Sequence, residues 1–378
     1  MNNKDRSSLT DLLHQINDRF QDMSRKIHWT ADDSACLDNL IESKDQINNI
    51  TDKIAKATGT RAFTMFVPSF LAYKGWQRTK AVYSFDREFV NAMSYTDDTT
   101  ILISLLERLP FKDMLFFFPE GTLPKIKNEE TAGMYVHIES HPKMLWINFN
   151  YLDRKQENGQ QIYPGISFAF SITNGMKVSQ VFETPQYLEW LSTYKRTVLV
   201  DRQWNEQEAE ECLLAEKKAL NLAINLMYYL SSEEPDIKQI KRRKKSTKPS
   251  VIPKEDTDPA INLLEVGTKY AEIVYKKINM NKGPAEEDSA LDENDEIESN
   301  EDDAVRTVKR GKKRRPHVRR AHFQHYWTGE GRAIPVLRWK SDLFVGMNRD
   351  DQAIVVYEAK ESLKGKRNPN TSKKKRRQ

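Results

Sequence analysis

Apolar residues recur at the i, i+3, i+4, i+7 spacing of an amphipathic helix across residues 9–27, and again across residues 37–54. Residues 63–94 are crowded with aromatic side chains, and their pattern predicts two further helical pieces. The first part of the chain is therefore predicted to be mostly helical.

The spacing of the apolar residues changes in the middle of the chain. Short β-rich stretches, separated by turn sequences such as ENGQ and TNG, occupy residues 114–118, 134–138, 144–151 and 166–172. Helical patterns return at residues 185–194, 206–230 and 259–278. Together these patterns predict an α+β fold with a helical N-terminal part, a central antiparallel sheet and a small basic C-terminal module that contains β-strands.

Shifts in composition predict the domain boundaries. The predicted segments are an α+β globular domain (1–235), a basic and Pro/Ser-rich linker (236–258), a helix that packs on the main domain (259–280), an acidic disordered linker (281–304), a basic aromatic C-terminal module (305–360) and a disordered basic tail (361–378). Within the module, residues 334–339, 343–345 and 353–357 are predicted strands.

The net charge of +5 conceals a strong separation of charge along the chain. Residues 286–303 contain eleven carboxylates and no basic residue, whereas residues 306–320 contain nine Lys or Arg. Blocks of a single sign often serve as interaction segments, although a solvated charged linker is an equally good interpretation of residues 306–313.

The cysteines and the apolar segments bear on the cellular compartment. Cys36 and Cys212 are far apart and form no CxxC motif, which favours a reducing cytosol. The first residues lack the apolar core of a signal peptide, and no run of about 18 apolar residues predicts a membrane span. A cytoplasmic protein without a membrane partner is expected.

The stretch RRPHVRRAHFQHYWTGEGR, residues 314–332, combines guanidinium groups with aromatic rings. Guanidinium groups bind phosphates or carboxylates through a planar fork, and aromatic rings stack on bases or peptide groups. The predicted contacts with a nucleic acid or an acidic partner are Arg314, Arg315, His317, Arg319, Arg320, His322, Phe323, His325, Tyr326, Trp327, Arg338 and Trp339. Among these, the four arginines at 314, 315, 319 and 320 would hold RNA phosphates or an acidic partner, and the rings at 322, 323, 326 and 327 would stack.

The three histidines of this stretch admit other interpretations. A histidine acid/base pair drawn from His317, His322 and His325 could cleave RNA, with a neighbouring arginine stabilising the phosphorane. Their spacing matches no recognised zinc motif, so neither a metal nor a cofactor is predicted. Simple hydrogen bonding and packing within the module is the remaining alternative. We predict a binding protein and keep a ribonuclease as the rival.

A second group of aromatic and basic residues lies near the N-terminal part. Tyr73, Trp76, Arg78 and Tyr83 could line a groove that binds a peptide. An ordinary aromatic core, with the arginine extending to solvent, is the competing interpretation.

The C-terminal stretch resembles the signature of one class of type V-A anti-CRISPR proteins. In that class an RPH is followed by RRGHW, His-x-Tyr-Trp, Gly-x-Gly and an Arg-Trp strand. The matching positions here are Arg315, Pro316 and His317; Arg319, Arg320 and His322; His325, Tyr326 and Trp327; Gly329 and Gly331; and Arg338 and Trp339. Two positions depart from the pattern, because Ala321 replaces Gly and Phe323 replaces Trp. Weaker similarity covers the segments YKGWQRTKAVYSFDREF and SSEEPDI.

The resemblance implies a protein of a mobile genetic element, such as a plasmid or phage, that acts in the cytoplasm of a bacterial host cell. In the family, the protein recognises the N-terminal peptide of the nascent type V-A effector nuclease and causes loss of the translating mRNA. RNA or the translating ribosome would be a further partner. A plasmid-encoded nucleic-acid-binding protein with another target is the other alternative.

Overall fold

The computed structural model describes residues 3–40, 42–58, 67–123, 129–141, 144–155, 161–201, 205–240, 261–281, 317–341 and 343–345. Within these residues the helices are α1 (Asn3–Lys26), α2 (Ala31–Ala35), α3 (Lys44–Thr58), α4 (Val67–Thr79), α5 (Arg87–Ser94), α6 (Ile103–Leu106), α7 (Val178–Val181), α8 (Pro185–Asp201), α9 (Glu206–Leu230) and α10 (Thr268–Asn281). Short 3-10 segments cover Cys36–Asp38 and Glu330–Arg332.

The strands are β1 (Ala81–Phe85), β2 (Asp113–Phe117), β3 (Glu129–His141), β4 (Met144–Lys155), β5 (Gln161–Thr173), β6 (Ile237–Gln239), β7 (Asn262–Val266), β8 (His317–Arg319), β9 (His322–Thr328), β10 (Ile334–Lys340) and β11 (Leu343–Val345). In the described part of the chain, seven of them form one sheet in the order β5-β4-β3-β2-β1-β7-β6. Strand β1 pairs in parallel with β2 and β7, and the other neighbours pair antiparallel. The predicted α+β class is confirmed, with a mixed sheet at its centre.

The sheet is covered on both faces, and alternate residues of β1, β2 and β7 enter two different hydrophobic clusters. In β1, Ala81, Tyr83 and Phe85 pack with residues of α5 and α9. On the opposite face, Val82 packs with residues of α1, α3 and α4. The central strands are therefore buried on both sides, as is usual for parallel pairs.

Two interior strands of the sheet occupy positions within segments that the sequence predicts to be helical. Residues 81–85 form β1 between two helices, and residues 262–266 form β7, so the helix predicted across residues 259–278 begins only at Thr268. Both strands have parallel neighbours in the interior, and such strands lack the alternation of polar and apolar residues that reveals a half-buried strand. The two helical pieces predicted across residues 63–94 are present as α4 and α5 with a strand between them, whereas the helix predicted across residues 259–278 was wrong at residues 262–266.

The second N-terminal helix is also divided. Residues 31–38 form α2 and a 3-10 segment, and α3 starts at Lys44. Thr30 caps α2, because its Oγ1 accepts a hydrogen bond from the Asp33 amide at 3.2 Å while Asp33 Oδ2 accepts one from the Thr30 amide at 2.8 Å. The predicted strand at residues 353–357, the acidic segment and the basic tail lie outside the described residues.

Helix α10 begins at a junction that explains the SSEEPDI stretch. Asp236 Oδ2 accepts a hydrogen bond from the Lys269 amide at 2.6 Å, in the first turn of α10. The Asp236 amide in turn donates to the Tyr229 hydroxyl of α9 at 2.8 Å. Gly267, which precedes the helix, has a φ of +80° and lies directly against Phe89. This junction joins β6, β7, α9 and α10.

Replacing Gly267 with alanine is expected to lower the free energy of unfolding by about 2–4 kcal/mol, because the new Cβ would overlap the Phe89 ring and the left-handed backbone disfavours a side chain. Gly175 provides a matched control, since it has a φ of +86° but open space around a Cβ. Gly175→Ala should cost only about 1–2 kcal/mol. Urea denaturation measures both variants, and equal losses would contradict the predicted overlap.

No helix in the described ranges is both long and apolar enough to span a membrane.

Candidate functional site

The C-terminal signature folds as a hairpin of β9 and β10. The strands pair antiparallel, with Phe323 opposite Trp339 and His325 opposite Leu337. Gly329 and Gly331, with φ of +77° and +64°, form the turn, which accounts for the Gly-x-Gly of the signature. Because successive side chains of a strand point to opposite faces, the hairpin has an inward and an outward face.

The inward face joins the main hydrophobic core. Phe323 and Leu337 are buried in the cluster on the α5 and α9 side of the sheet. The Phe323 ring meets the Tyr228 ring of α9 edge to face, with the centroids 5.3 Å apart. The half-buried Trp339 ring packs against the rings of Phe89, Tyr229 and Tyr270, with centroid distances of 5.5, 5.9 and 5.5 Å. These contacts fix the hairpin against α5, α9 and α10.

A hydroxyl group connects the inward face to the loop before α6. The Tyr228 hydroxyl lies 2.9 Å from the Thr100 carbonyl oxygen, the Leu102 amide and His325 Nε2. Since the hydroxyl has one proton and donates it to Thr100, His325 donates to the hydroxyl from Nε2. Burial lowers the pKa of His325, which favours this neutral ring. His325 therefore has a structural partner in the folded protein.

Further polar contacts hold the hairpin at both ends. The Asp97 amide donates to the Ala321 carbonyl oxygen at 2.8 Å, and the Glu233 amide donates to the Leu337 carbonyl oxygen at 2.9 Å. Arg108 donates from Nη1 to the Pro335 carbonyl oxygen at 3.0 Å.

The outward face carries cations and an aromatic ring. The Arg338 guanidinium lies over the Tyr326 ring, with Cζ 5.3 Å from the ring centroid, and its Nε donates to Glu233 at 2.6 Å. The Tyr326 hydroxyl donates to Gln324 at 2.7 Å. At the open end of the hairpin, Arg320 is exposed and Lys340 lies opposite the half-buried His322. Such a surface suits contact with phosphates and bases.

Two large apolar side chains near the turn remain open to solvent. Trp327 is 51% exposed and Ile334 is 50% exposed, whereas most of the apolar side chains of the hairpin are covered. Exposed aromatic rings of this kind are typical of contact surfaces.

The structure thus divides the predicted contact residues into groups. His322, Tyr326 and Arg338 lie on the outward face, Phe323, His325 and Trp339 on the inward face, and Trp327 and Arg320 are exposed near the two ends. His317 and Arg319 belong to β8, which pairs with β11, and Arg314 and Arg315 lie outside the described residues. The contact prediction for the whole set stays a prediction.

His322 and His325 are separated by the alternation of the strand. They lie on opposite faces of the hairpin, so they cannot act jointly on one phosphate or bind one metal ion in this conformation. Among the described residues, His, Cys, Asp and Glu side chains form no cluster of three or more that could hold a metal ion.

The four residues predicted to bind a peptide are placed differently from one another. Tyr73, Trp76 and Tyr83 are buried in the core, and the Trp76 indole nitrogen donates to the Ala81 carbonyl oxygen at 3.0 Å. Arg78, at the end of α4, is the member of the four that reaches the surface. Contact between a peptide and the three rings would require the core to open, whereas Arg78 is exposed.

Arg78 belongs to a buried ionic network that the sequence analysis missed. Its Nη2 donates to Asp113 Oδ2 at 2.7 Å, and Asp113 Oδ1 lies 2.7 Å from His137 Nδ1. On the other side, His137 Nε2 lies 3.2 Å from Glu139 Oε1, which also accepts from the Leu40 amide at 3.0 Å. The signal in the sequence was the set of polar residues at alternate positions of β3, His137, Glu139 and His141, in a strand that is otherwise largely apolar.

His137 is an imidazolium in this network. Both of its ring nitrogens face carboxylate oxygens, which can only accept, so both nitrogens must carry a proton. Burial alone would lower the pKa of His137, but the hydrogen bonds to Asp113 and Glu139 raise it from 6.5 to about 9. For both carboxylates burial favours the neutral form, yet the hydrogen bond from His137 holds their pKa values below the ordinary range.

The class defined by these features is an α+β protein whose sheet is covered on both faces and whose C-terminal hairpin presents cations and rings to solvent. The family model "AcrVA2-like: Anti-CRISPR type V subtype A2 family" matches residues 83–347, and the chain belongs to this family. The predicted family is therefore confirmed, and membership supports an anti-CRISPR function directed at CRISPR machinery.

Among solved structures, the crystal structure of AcrVA2 is similar to this chain, with a TM-score of 0.46 and 14% sequence identity over 89% of this chain and 99% of that chain. No curated protein sequence matches the chain.

Proposed function

We propose that this protein lowers the mRNA and protein level of a type V-A effector nuclease by recognising the N-terminal peptide of the nascent nuclease, with the outward face of the hairpin contacting RNA or the translating ribosome. The observation that supports the RNA contact is the division of the hairpin: one face packs in the core, and the other presents Tyr326, Arg338 and Lys340. Membership of the anti-CRISPR type V subtype A2 family supports the proposed target.

Charge favours RNA as the partner of the outward face. Arg320 and Lys340 lie at the open end of the hairpin, and in the sequence the preceding residues 306–316 contain seven Lys or Arg. Cations that neutralise phosphates gain affinity by releasing counterions, and the Tyr326 ring on this face supplies stacking. The hairpin itself is rigidly docked, so its outward side chains are positioned before the partner arrives.

A binding role suits the geometry better than a ribonuclease. Acid/base catalysis by a histidine pair requires both rings to reach the same scissile phosphate. His322 and His325 lie on opposite faces of the hairpin, and His325 Nε2 is hydrogen-bonded to the Tyr228 hydroxyl. Any message loss would then depend on nucleases of the host rather than on this hairpin.

A reporter assay tests the proposed target. The first codons of a type V-A effector nuclease are fused to a fluorescent protein and co-expressed with this chain, and fluorescence and message level are measured. Both should fall relative to a reporter with an unrelated N-terminal sequence. If reporter fluorescence and message level stay unchanged, the proposed target is wrong.

The variant Arg320→Gln/Lys340→Gln is expected to weaken repression and RNA binding, because both cations sit at the open end of the outward face. Loss of two phosphate contacts should lower RNA affinity about tenfold or more at low salt and flatten the salt dependence. Lys218→Gln/Lys238→Gln is the matched control, since these exposed lysines lie on α9 and β6. Equal effects of the two double variants would contradict the assignment of this face.

Competition separates the remaining alternatives. Duplex DNA that displaces labelled RNA at equal concentration would favour a plasmid-encoded DNA-binding protein. Cleavage of labelled RNA by the purified protein, lost in His322→Ala with RNA binding retained, would favour a ribonuclease.

A further inference from the structure

A chain of alternating charges leads from the interior of the protein to its surface. Glu139, His137 and Asp113 have side chains at most 6% exposed, and each is bonded to the next. Asp113 then holds Arg78, whose side chain is 35% exposed. The surface guanidinium is therefore the outer end of a buried ionic chain.

Such a chain costs free energy to bury, because each ion loses its hydration. In this protein the ionic chain fixes the orientation of the Arg78 guanidinium. Asp113 binds His137 through one oxygen and Arg78 through the other, so it cannot turn without breaking one of these bonds. Thr79 adds a hydrogen bond from its hydroxyl to the Asp113 carbonyl oxygen at 2.6 Å. The Arg78 plane is thereby fixed before any ligand binds.

The outer side of the Arg78 guanidinium can donate further hydrogen bonds to a ligand. Among the described residues Arg78 makes two hydrogen bonds, one to Asp113 and one from Nη1 to Asp38 Oδ1 at 2.6 Å, which leaves three of its five N–H groups without a protein acceptor. The Asp38 side chain is 73% exposed. Exposed ion pairs contribute little to stability, so Asp38 can be displaced at small cost.

We propose that Arg78 is a carboxylate-binding residue that takes an Asp or Glu side chain of the bound peptide, and that Asp38 occupies this position in the free protein. The inference rests on the proposed recognition of a nuclease peptide. Asp38 shows that a carboxylate can reach Arg78 Nη1 from the solvent side, and arginine binds carboxylates through strong charge-assisted hydrogen bonds. The two nearby carboxylates of Asp38 and Asp113 disfavour a more highly charged phosphate.

This position also separates the two proposed contacts. Asp113 and His137 face the α1, α3 and α4 side of the sheet, whereas Phe323 and Leu337 attach the hairpin to the other side. A peptide at Arg78 and an RNA at the hairpin would therefore occupy opposite faces of one sheet and would not compete for space.

Binding of a labelled synthetic peptide with the N-terminal sequence of the nuclease tests the inference by fluorescence anisotropy. The full-length protein is compared with Arg78→Gln, Arg78→Lys and Asp38→Asn, and thermal unfolding checks that each variant is folded. Arg78→Gln should weaken binding about tenfold or more, and Arg78→Lys should recover only part of it. Asp38→Asn leaves the bond between Arg78 and Asp113 intact and should strengthen binding about twofold to fivefold, because the internal competitor is gone.

Two control variants and a second peptide complete the test. Lys112→Gln removes an exposed cation beside Asp113 in the chain, and Asp32→Asn removes an exposed acid near Asp38; both should leave the affinity within about twofold. A peptide whose Asp and Glu are replaced by Asn and Gln should bind the wild-type protein as weakly as the original peptide binds Arg78→Gln.

The outcomes distinguish this inference from the function on which it rests. If the wild-type protein does not bind the original peptide, peptide recognition itself is overturned and the inference with it. If the wild-type protein binds but Arg78→Gln or the amide peptide binds equally well, only the inference is overturned. Weaker binding by Asp38→Asn would assign Asp38 a structural role and would likewise overturn it, as would displacement of the peptide by inorganic phosphate.

Discussion

Replacing His137 with glutamine is expected to lower the free energy of unfolding by about 3–5 kcal/mol, because it removes the cation that two buried carboxylates share. Asp113 would keep Arg78 as a partner, but Glu139 would lose the hydrogen bond at its Oε1 and retain only the Leu40 amide there. The remaining oxygen of Glu139 lies 3.4 Å from His141 Nε2. The variant therefore leaves the Glu139 carboxylate buried without its cation and without access to water.

The stability that His137 contributes is expected to decrease as the pH rises. The pKa of His137 rises on folding from 6.5 to about 9, so its contribution, on the order of 3 kcal/mol, is complete below pH 6.5 and is lost as the pH rises through about 9. The lowered pKa values of Asp113 and Glu139 act in the opposite sense. Their contribution is present above the ordinary values of 3.8 and 4.5 and is lost as the pH falls further.

Urea denaturation at about pH 6 and about pH 9.5 measures this linkage. The difference in unfolding free energy between the wild-type protein and His137→Gln should be large at the lower pH and should shrink at the higher one. His28→Gln is the control, because His28 is exposed. A difference that stays constant between the two pH values would show that His137 is not held as an imidazolium.

Replacing Phe323 with alanine is expected to cost about 3–5 kcal/mol, since the ring is buried between the hairpin and Tyr228 and its loss leaves a cavity. Repression of the reporter should fall as well, because the hairpin would no longer be fixed against α9. Relative to the wild-type protein, amide hydrogen exchange in the variant should become faster across β9 and β10 while the seven-stranded sheet keeps its protection. Unchanged protection of the hairpin would contradict its attachment through this ring.

Tyr326 provides the matched comparison on the outward face of the same strand. Tyr326→Ala should change stability by less than about 1 kcal/mol, because the lost contacts, with Gln324 and Arg338, are at the surface. RNA binding should nevertheless weaken by about fivefold or more, as expected when a stacking ring is removed. If Tyr326→Ala reduced stability as much as Phe323→Ala, the division into two faces would be wrong.

The residues from which the sequence predicts a nucleic-acid contact have two different roles in the fold. RRPHVRRAHFQHYWTGEGR and the following Arg-Trp strand contain the right residue types for a binding surface, but alternate positions pack inward. Trp339 illustrates this point, since its indole nitrogen donates to Thr96 Oγ1 at 3.2 Å while the next residue, Lys340, lies on the outward face. Composition alone does not separate these roles, because it carries no information about which face a neighbouring helix covers.

Local patterns were sufficient for much of the molecule. The helical spacing located α1 and α9, and the alternation in the middle located β3 and β4, because each of these elements has one face that differs in polarity from the other. The ordered motifs of the C-terminal region predicted the family. The α+β class follows from the succession of these elements, and each of them is set mostly by residues close together in the chain.

Long-range contacts determine the strand pairing and the ionic network, which the sequence pattern does not predict. Strands β1 and β7 lack a clear polar face, so only their parallel pairing, across about 180 residues of sequence, identifies them as interior strands of the sheet. The ionic chain from Glu139 to Arg78 likewise requires β2, β3 and α4 to meet, and its protonation depends on the burial that this meeting creates. Periodicity specifies which side of an element is apolar, but the identity of the partner on that side is fixed only when the layers pack.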